Sequence, residues 1–318
     1  MHEFAELAVV ERSGFVESRH FGSLVGIASD GAVEISLGVP DAPMLPRSST
    51  KPWQAAGVRA AGLSLSVAGT ALSAGSHTGE DRHVAATRAI LADAGLSERD
   101  LQCPADWPED EATRHRLIKD GEGRSAIRMN CSGKHAAMLA CAAHNGWDVA
   151  GYLDPDHPVQ QVIRQRLEAA TGVPVAHVAV DGCGAPLFST TVTGLARAAR
   201  AMALAPAETP EGAVAAAMRA EPEFVGGLGH ENSEVMRLVP GSISKGGAEG
   251  VLMAAGANGA AVAMKMIDGS PRATTMVALA VLGALGVDVS GAVSLTRLPI
   301  LGGGVAVGAI RTGADLAL

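Results

Sequence analysis

Two residues near the amino terminus have types and a spacing that suit nucleophilic catalysis. Ser48 and Lys51 stand three positions apart, and residues three apart on a helical turn lie on the same face. A serine hydroxyl is a poor nucleophile until a base takes its proton, and a neutral lysine amine can do so. Because the pKa of a free lysine is about 10.4, burial or a second cation must lower it. The pair predicts a serine–lysine hydrolase, with a solvated helix start as the alternative.

A second hydroxyl and a second lysine are available elsewhere in the sequence. Ser76 lies in a glycine-punctuated polar loop, the kind of segment that can place a side chain beside a reacting centre. Lys245 is followed by two glycines, a loose match to the Lys-Thr-Gly element of penicillin-recognising enzymes. Lys265, on the far side of a predicted hairpin, is the alternative. The motif favours Lys245 as the second active-site lysine.

The four cysteines are too sparse for a disulfide framework. Cys131 is followed one turn later by Lys134 and His135, and Cys183 lies in a further glycine-rich segment. Two thiolates with one nitrogen ligand suit a zinc site that keeps an open position. The spacing is not that of a zinc finger, so buried structural thiols are the alternative.

Composition excludes several classes of function. The chain has 318 residues, of which 47% are hydrophobic and 18% charged, which is typical of a compact globular protein. Its net charge of −8 argues against binding to nucleic acid or anionic membranes, as does the absence of any basic run. The amino terminus is acidic and resembles no secretory signal, so we expect a cytoplasmic protein. The apolar stretch 273–287 is too short to span a bilayer and predicts a buried helix.

Strand patterns lie at both ends of the sequence and helix patterns between them. Asp30-Gly31 and Asn258-Gly259 each separate two apolar runs, which indicates hairpins, and residues 305–310 read as a further strand. Asp156 is the predicted N-cap of a helix over 158–170. Alanine-rich segments predict the other helices, over 53–62, 82–94, 135–144, 190–203 and 211–219. We expect an α+β fold, a single domain of residues 1–318, with a mainly antiparallel sheet from the terminal strands, helices on its faces and a helical subdomain at roughly 80–220.

Taken together, five motifs in order resemble the class 3 L-asparaginases, a serine–lysine, zinc-binding type. They cover nearly the whole chain: Pro46-Arg47-Ser48-Ser49-Thr50-Lys51, Ser76-His77-Thr78-Gly79-Glu80, Cys131-Ser132-Gly133-Lys134-His135, Asp181-Gly182-Cys183-Gly184 and Lys245-Gly246-Gly247-Ala248-Glu249-Gly250. The resemblance implies a fold similar to serine β-lactamases and glutaminases, a homodimer, and hydrolysis of L-asparagine to L-aspartate and ammonia.

The resemblance also assigns roles by motif. Ser48 would be the nucleophile with Lys51 as its base, and Ser76 the second serine, paired with Lys245 or Lys265. Zinc would be bound by Cys131, Lys134 and Cys183. Arg47 and Asp181 would bind the charged α-groups of the substrate.

Two alternatives remain open. The same fold can serve a glutaminase or a β-lactamase-like amide hydrolase. A protein of another class, a non-catalytic zinc-binding regulator, would keep the fold without turnover.

Overall fold

A computed structural model describes residues 3–316. Its strands are β1 Ala5–Arg12, β2 Phe15–Ile27, β3 Val33–Leu37, β4 Val178–Val180, β5 Pro186–Phe188, β6 Ile243–Gly247, β7 Val251–Ala255, β8 Ala261–Met266, β9 Leu298–Gly302 and β10 Val305–Thr312. Its α-helices are α1 Lys51–Ala60, α2 Val67–Ser73, α3 Asp81–Asp93, α4 Glu111–Lys119, α5 Ser132–His144, α6 Pro158–Thr171, α7 Val192–Leu204, α8 Pro210–Ala220, α9 Pro222–Val225, α10 Glu231–Leu238, α11 Thr274–Ala284 and α12 Val293–Thr296.

One large antiparallel sheet joins the two ends of the chain. Its order is β6-β7-β8-β2-β1-β10-β9, and β3 pairs with the second half of β2. β1 and β10 are direct neighbours, with Val9 opposite Arg311. The α+β class with a sheet built from terminal strands is thereby confirmed.

Both predicted hairpins form. β2 and β3 pair across the turn that contains Gly31, and β7 and β8 pair across the turn that contains Gly259. Both glycines have positive φ angles, 98° and 84°, a conformation that costs glycine little.

Helices cover both faces of the sheet. α7 packs against β2, β7 and β8, whereas α11 packs against β7, β8 and β10. α11 is buried along most of its length, which confirms the helix predicted in the apolar stretch 273–287. In the described part of the chain, no helix is both long and apolar enough to cross a bilayer.

Apart from the short α12, the remaining helices lie between β3 and β6 and enclose the larger apolar core. The segments predicted to be helical are all helices, with ends that differ by up to three residues. The predicted cap of α6 is wrong: His157, not Asp156, is the N-cap, because its ring nitrogen accepts a hydrogen bond from the Val159 amide at 3.2 Å. The helical part begins at α1, well before residue 80.

Candidate active site

The Ser48 motif forms a single 3-10 turn, Arg47–Thr50, that runs directly into α1. Lys51 is the first residue of α1, and Pro52 follows in the first turn. Amide groups in the first turn have no acceptor within the helix, so the missing amide proton of proline costs no hydrogen bond there. Ser48 is half-buried and lines a cavity of about 590 Å³ together with Ser76 and Lys245. Three of the four predicted catalytic residues therefore line one cavity.

Two lysines converge on Ser76. The Nζ atoms of Lys51 and Lys245 lie 2.8 Å and 3.0 Å from Ser76 Oγ. Lys51 Nζ also lies 3.5 Å from the carbonyl oxygen of Asn130, and Lys245 Nζ donates to the carbonyl of Gly246 at 2.6 Å. Both lysines are 1% exposed, which is rare for a cationic side chain and makes the pair a candidate functional site.

The Ser48 hydroxyl makes no hydrogen bond to any residue within 3–316. Lys51, its predicted base, bonds instead to Ser76. Catalytic hydrogen bonds are often long in the absence of substrate and shorten only in the reactive complex. The geometry thus brings Lys51 to Ser76 and leaves Ser48 Oγ available to a ligand in the cavity.

Burial and the nearby Lys51 charge hold the pKa of Lys245 well below its ordinary value. A neutral amine has a lone pair, so Lys245 can accept the proton of the Ser76 hydroxyl. The cation that helps to keep Lys245 neutral is therefore Lys51.

Lys265, the alternative second lysine, lies elsewhere. It is half-buried and lines a different cavity of about 410 Å³. Its amine donates to the carbonyl oxygens of Glu249 and Met266 at 2.7 Å and 2.6 Å. The structure therefore favours Lys245 over Lys265.

Glycine lets β6 approach the turn that contains Ser48. A Cβ atom on Gly247 would lie 2.7 Å from the Pro46 carbonyl oxygen and 3.1 Å from the Ser48 amide nitrogen. The Gly246 amide donates to Asn232 Oδ1 at 2.8 Å, which fixes β6 against α10. The two glycines after Lys245 therefore position the lysine and the turn together.

Cys131, Lys134 and Cys183 are all buried, and Lys134 Nζ lies 3.1 Å from Cys183 Sγ. The Cys131 thiol donates to Asn130 Oδ1 at 3.1 Å, and the Cys183 thiol donates to Asp181 Oδ2 at 3.5 Å. The neighbouring Cys183 lowers the pKa of Cys131 against the effect of burial, whereas Cys131 and burial together raise the pKa of Cys183. Burial opposes a charge on Lys134, but the two sulfurs outweigh it and raise its pKa to about 12. The cluster is thus a buried amine with two buried sulfurs of unequal acidity.

This donor set fits a zinc ion. At ordinary zinc–sulfur and zinc–nitrogen bond lengths, tetrahedral ligands lie about 3.5 Å apart, so Lys134 and Cys183 need to separate by only a few tenths of an ångström. Among residues 3–316, no group of three or more His, Cys, Asp or Glu side chains is placed to bind a metal, so a site here depends on the lysine. His135, the runner-up, bonds through Nδ1 to the Tyr152 hydroxyl at 2.7 Å.

Arg47 and Asp181 form an ion pair. Arg47 Nε lies 2.8 Å from Asp181 Oδ1, and the charges of Lys134 and Arg47 outweigh burial and lower the pKa of Asp181. Arg47 has a φ of 52°, unusual for a residue with a Cβ atom and costly by about 1–3 kcal/mol. Arg47 lines the cavity of Lys265 rather than that of Ser48.

Sequence reasoning missed several residues of the catalytic cavity. Asn130, Glu109, His230 and Asn232 line it, and burial together with Lys245 lowers the pKa of His230 to about 4. Asn130 directly precedes the Cys131 motif, so its position in the sequence could have indicated a site residue. His230 and Asn232 lie at the start of α10, and no local pattern indicates that this helix packs against β6.

Two half-buried serines, two buried lysines and an adjacent cysteine–lysine cluster lie on an α+β scaffold and define a candidate serine–lysine hydrolase. The sequence matches the family described as L-asparaginase II over residues 8–312, so the chain belongs to that family. This is an amidohydrolase family, and the predicted resemblance is confirmed. The curated proteins contain no match.

Solved structures similar to this chain are distant. A β-lactamase from Mycobacterium bovis is 14% identical, with a TM-score of 0.43, covering 83% of this chain and 93% of its own. A putative β-lactamase from Bacteroides dorei is 13% identical, with a TM-score of 0.40, covering 77% and 84%. EstCE1, a hydrolase with promiscuous acyltransferase activity, is 15% identical, with a TM-score of 0.39, covering 87% and 93%.

Proposed function

We propose that this protein hydrolyses the side-chain amide of L-asparagine to L-aspartate and ammonia. The observation that carries the proposal is the convergence of Lys51 and Lys245 on Ser76 in the cavity that Ser48 lines. Family membership supplies the reaction class, amide hydrolysis.

Lys51 first passes a proton through the Ser76 hydroxyl to the neutral amine of Lys245. Ser48 Oγ then attacks the side-chain carbonyl carbon of the substrate, and the neutral Lys51 amine takes the serine proton. Ser76 connects Lys51 to Lys245, so a proton can pass between the amines through its hydroxyl. The amide nitrogen receives that proton and leaves as ammonia. Water then attacks the acyl-enzyme, the Ser48 ester bond breaks, and L-aspartate is released.

Zinc is the proposed cofactor, bound by Cys131, Lys134 and Cys183. The observations that support it are the 3.1 Å contact between Lys134 Nζ and Cys183 Sγ and the burial of Cys131, three positions before Lys134. A bound zinc ion would supply positive charge beside the catalytic lysines, which favours their neutral forms. The chain's own contribution is to hold Cys131 directly after Asn130, whose carbonyl faces Lys51.

Arg47 and Asp181 are the contacts that the motifs propose for the α-groups of the substrate. Their direct ion pair means that the substrate would have to compete with an existing bond of 2.8 Å.

A homodimer and a cytoplasmic location are also proposed from the resemblance. Sedimentation of the purified protein tests the first, and cell fractionation tests the second.

Ammonia release on L-asparagine, L-glutamine and a β-lactam tests the proposed reaction. We expect asparagine to be the preferred substrate and Ser48→Ala to remove the activity. Preference for glutamine or the lactam would identify a related amide hydrolase. A regulator without turnover would release no ammonia from any of the three, with or without the substitution.

A further inference from the structure

We propose that Arg272 binds the α-carboxylate of the substrate and that Glu231 binds its α-ammonium group. The inference rests on the proposed amide hydrolysis and names the residues that select an α-amino acid. It gives these two residues the role that the motifs give to Arg47 and Asp181.

Arg272 is anchored from behind by a buried histidine. Arg272 Nε donates to His20 Nε2 at 2.7 Å, and His20 Nδ1 lies 2.5 Å from Asp268 Oδ2. Because Arg272 Nε can only donate, His20 Nε2 accepts and the ring proton lies on Nδ1, facing Asp268. His20 is 3% exposed, on β2, so the anchor belongs to the central sheet.

The anchor uses only one nitrogen of the guanidinium group. Within residues 3–316, the Nη1 and Nη2 atoms of Arg272 bond to no protein group, and the side chain lines the cavity of Ser48, Ser76 and Lys245. Arg272 is exposed at the cavity wall, and its two free terminal nitrogens suit bidentate binding of a carboxylate. Lys245 also lines this cavity, but its amine already bonds to Ser76.

The carboxylate of Glu231 lines the same cavity and forms no ion pair with Arg272. Glu231 Oε2 accepts a hydrogen bond from Thr275 Oγ1 at 2.6 Å, and in the described chain Glu231 forms no ion pair. Thr275 follows Arg272 by three residues, so one short segment orients both charges. Separate, unpaired charges of opposite sign in one cavity match a zwitterion, whereas Arg47 and Asp181 neutralise each other.

Steady-state kinetics on two substrates test the assignment. L-Asparagine carries the α-carboxylate, and L-aspartic acid diamide lacks it but keeps the scissile amide. We expect Arg272→Gln to raise KM for asparagine about tenfold or more with kcat nearly unchanged, because a ground-state contact is lost. On the diamide, wild type and Arg272→Gln should have equal KM. Glu231→Gln should raise KM for both substrates, since both keep the ammonium group.

Matched variants separate this role from a structural one. Arg311→Gln, an exposed arginine paired with Glu11 on the far strands, should behave as wild type. Arg272→Lys should recover part of the KM, and His20→Gln should shift KM in the same direction as Arg272→Gln by a smaller factor. An unchanged KM in Arg272→Gln, or an equal loss on both substrates, overturns the proposal. If Arg47→Gln, rather than Arg272→Gln, raises KM for asparagine but not for the diamide, Arg47 binds the carboxylate.

A binding measurement keeps the two proposals distinguishable. Calorimetry with L-asparagine on Ser48→Ala should show binding, which Arg272→Gln in the same background weakens about tenfold or more. If wild type releases no ammonia but the binding loss occurs, the proposed reaction fails and the assignment stands. Equal binding in the two variants, or none in either, overturns the assignment whatever the activity.

Discussion

Lys245 Nζ lies 3.0 Å from Ser76 Oγ, and the same oxygen accepts a hydrogen bond from the Lys51 amine at 2.8 Å. Two ammonium groups that share one oxygen in a buried site repel each other, and the free energy is lower when one of them loses its proton. Ser76 therefore does more than fill the cavity, because its hydroxyl is the shortest route for a proton between the two amines.

We expect Ser48→Ala and Lys51→Ala each to abolish asparagine hydrolysis while the protein still folds. Removal of either residue should cost the enzyme nearly the same activity, because the nucleophile and its base do not work without each other. Ammonia release checks the rate, and mass spectrometry of quenched wild type checks for an acyl group on Ser48. Ser64→Ala, an exposed serine outside the cavity, is the control. A rate above about a tenth of wild type in either variant would move the nucleophile elsewhere, with Ser76 as the next candidate.

Lys245→Met should reduce kcat by a factor of about a hundred or more, since it removes a proton-transfer group. Lys265→Met should change kcat little, because its amine bonds to backbone carbonyls beside a different cavity. Full progress curves for both variants give the comparison. The reverse pattern would assign the second catalytic lysine to Lys265.

Lys245→Met should also stabilise the protein at neutral pH. In the folded chain the pKa of Lys245 is well below its ordinary value of about 10.4, which the unfolded chain keeps. At any pH between the lowered pKa and about 10.4, the unfolded chain therefore binds more protons than the folded chain. The free energy of unfolding of wild type therefore rises with pH through this window. We expect a higher Tm for Lys245→Met at pH 7, about 2–4 °C for each kcal/mol regained, and a difference that shrinks toward pH 10. A difference independent of pH would show that packing, not charge, causes the change.

Gly247→Ala should reduce activity about tenfold or more, because the added Cβ would overlap the Pro46 carbonyl oxygen and displace the Ser48 turn. Gly246→Ala is the matched control: its Cβ would meet Asn232 Oδ1 at 3.4 Å, an ordinary contact. Thermal denaturation of both variants separates a displaced turn from unfolding. Equal activities would mean that β6 moves to accommodate the methyl group.

The purified protein should contain about one zinc ion per chain, and Cys131→Ser, Cys183→Ser and Lys134→Ala should each lose it. Lysine binds a metal only as the neutral amine, and its pKa here is about 12, so zinc must displace that proton and affinity should fall as pH falls. Elemental analysis checks occupancy, with Cys103→Ser and Cys141→Ser as controls. Full occupancy in both cysteine variants, or loss in His135→Ala but not Lys134→Ala, would contradict the ligand set.

The sequence predicted features that depend on neighbours in the chain. The Asp30-Gly31 hairpin and α11 follow from local turn chemistry and apolar runs, and both are present. The Ser48–Lys51 spacing placed both residues on one turn, but only the fold reveals that the Lys51 amine points to Ser76. His157 replaced Asp156 as the cap of α6 because a histidine ring nitrogen can also accept an amide hydrogen bond, which general preferences underweight. The His20–Arg272 contact spans 252 positions, and a single sequence carries no sign of it.

The adjacency of β1 and β10 has a consequence for how the molecule forms. The Glu6 amide bonds to Asp315, 309 positions away, so the middle of the sheet closes only when almost the last described residues arrive. Until β10 has been synthesised, the edge of β1 that it covers has no strand partner. Contacts this distant in sequence slow folding, and an unpaired strand edge invites association with other chains. The ribosome-bound chain is therefore most vulnerable to aggregation just before β10 emerges.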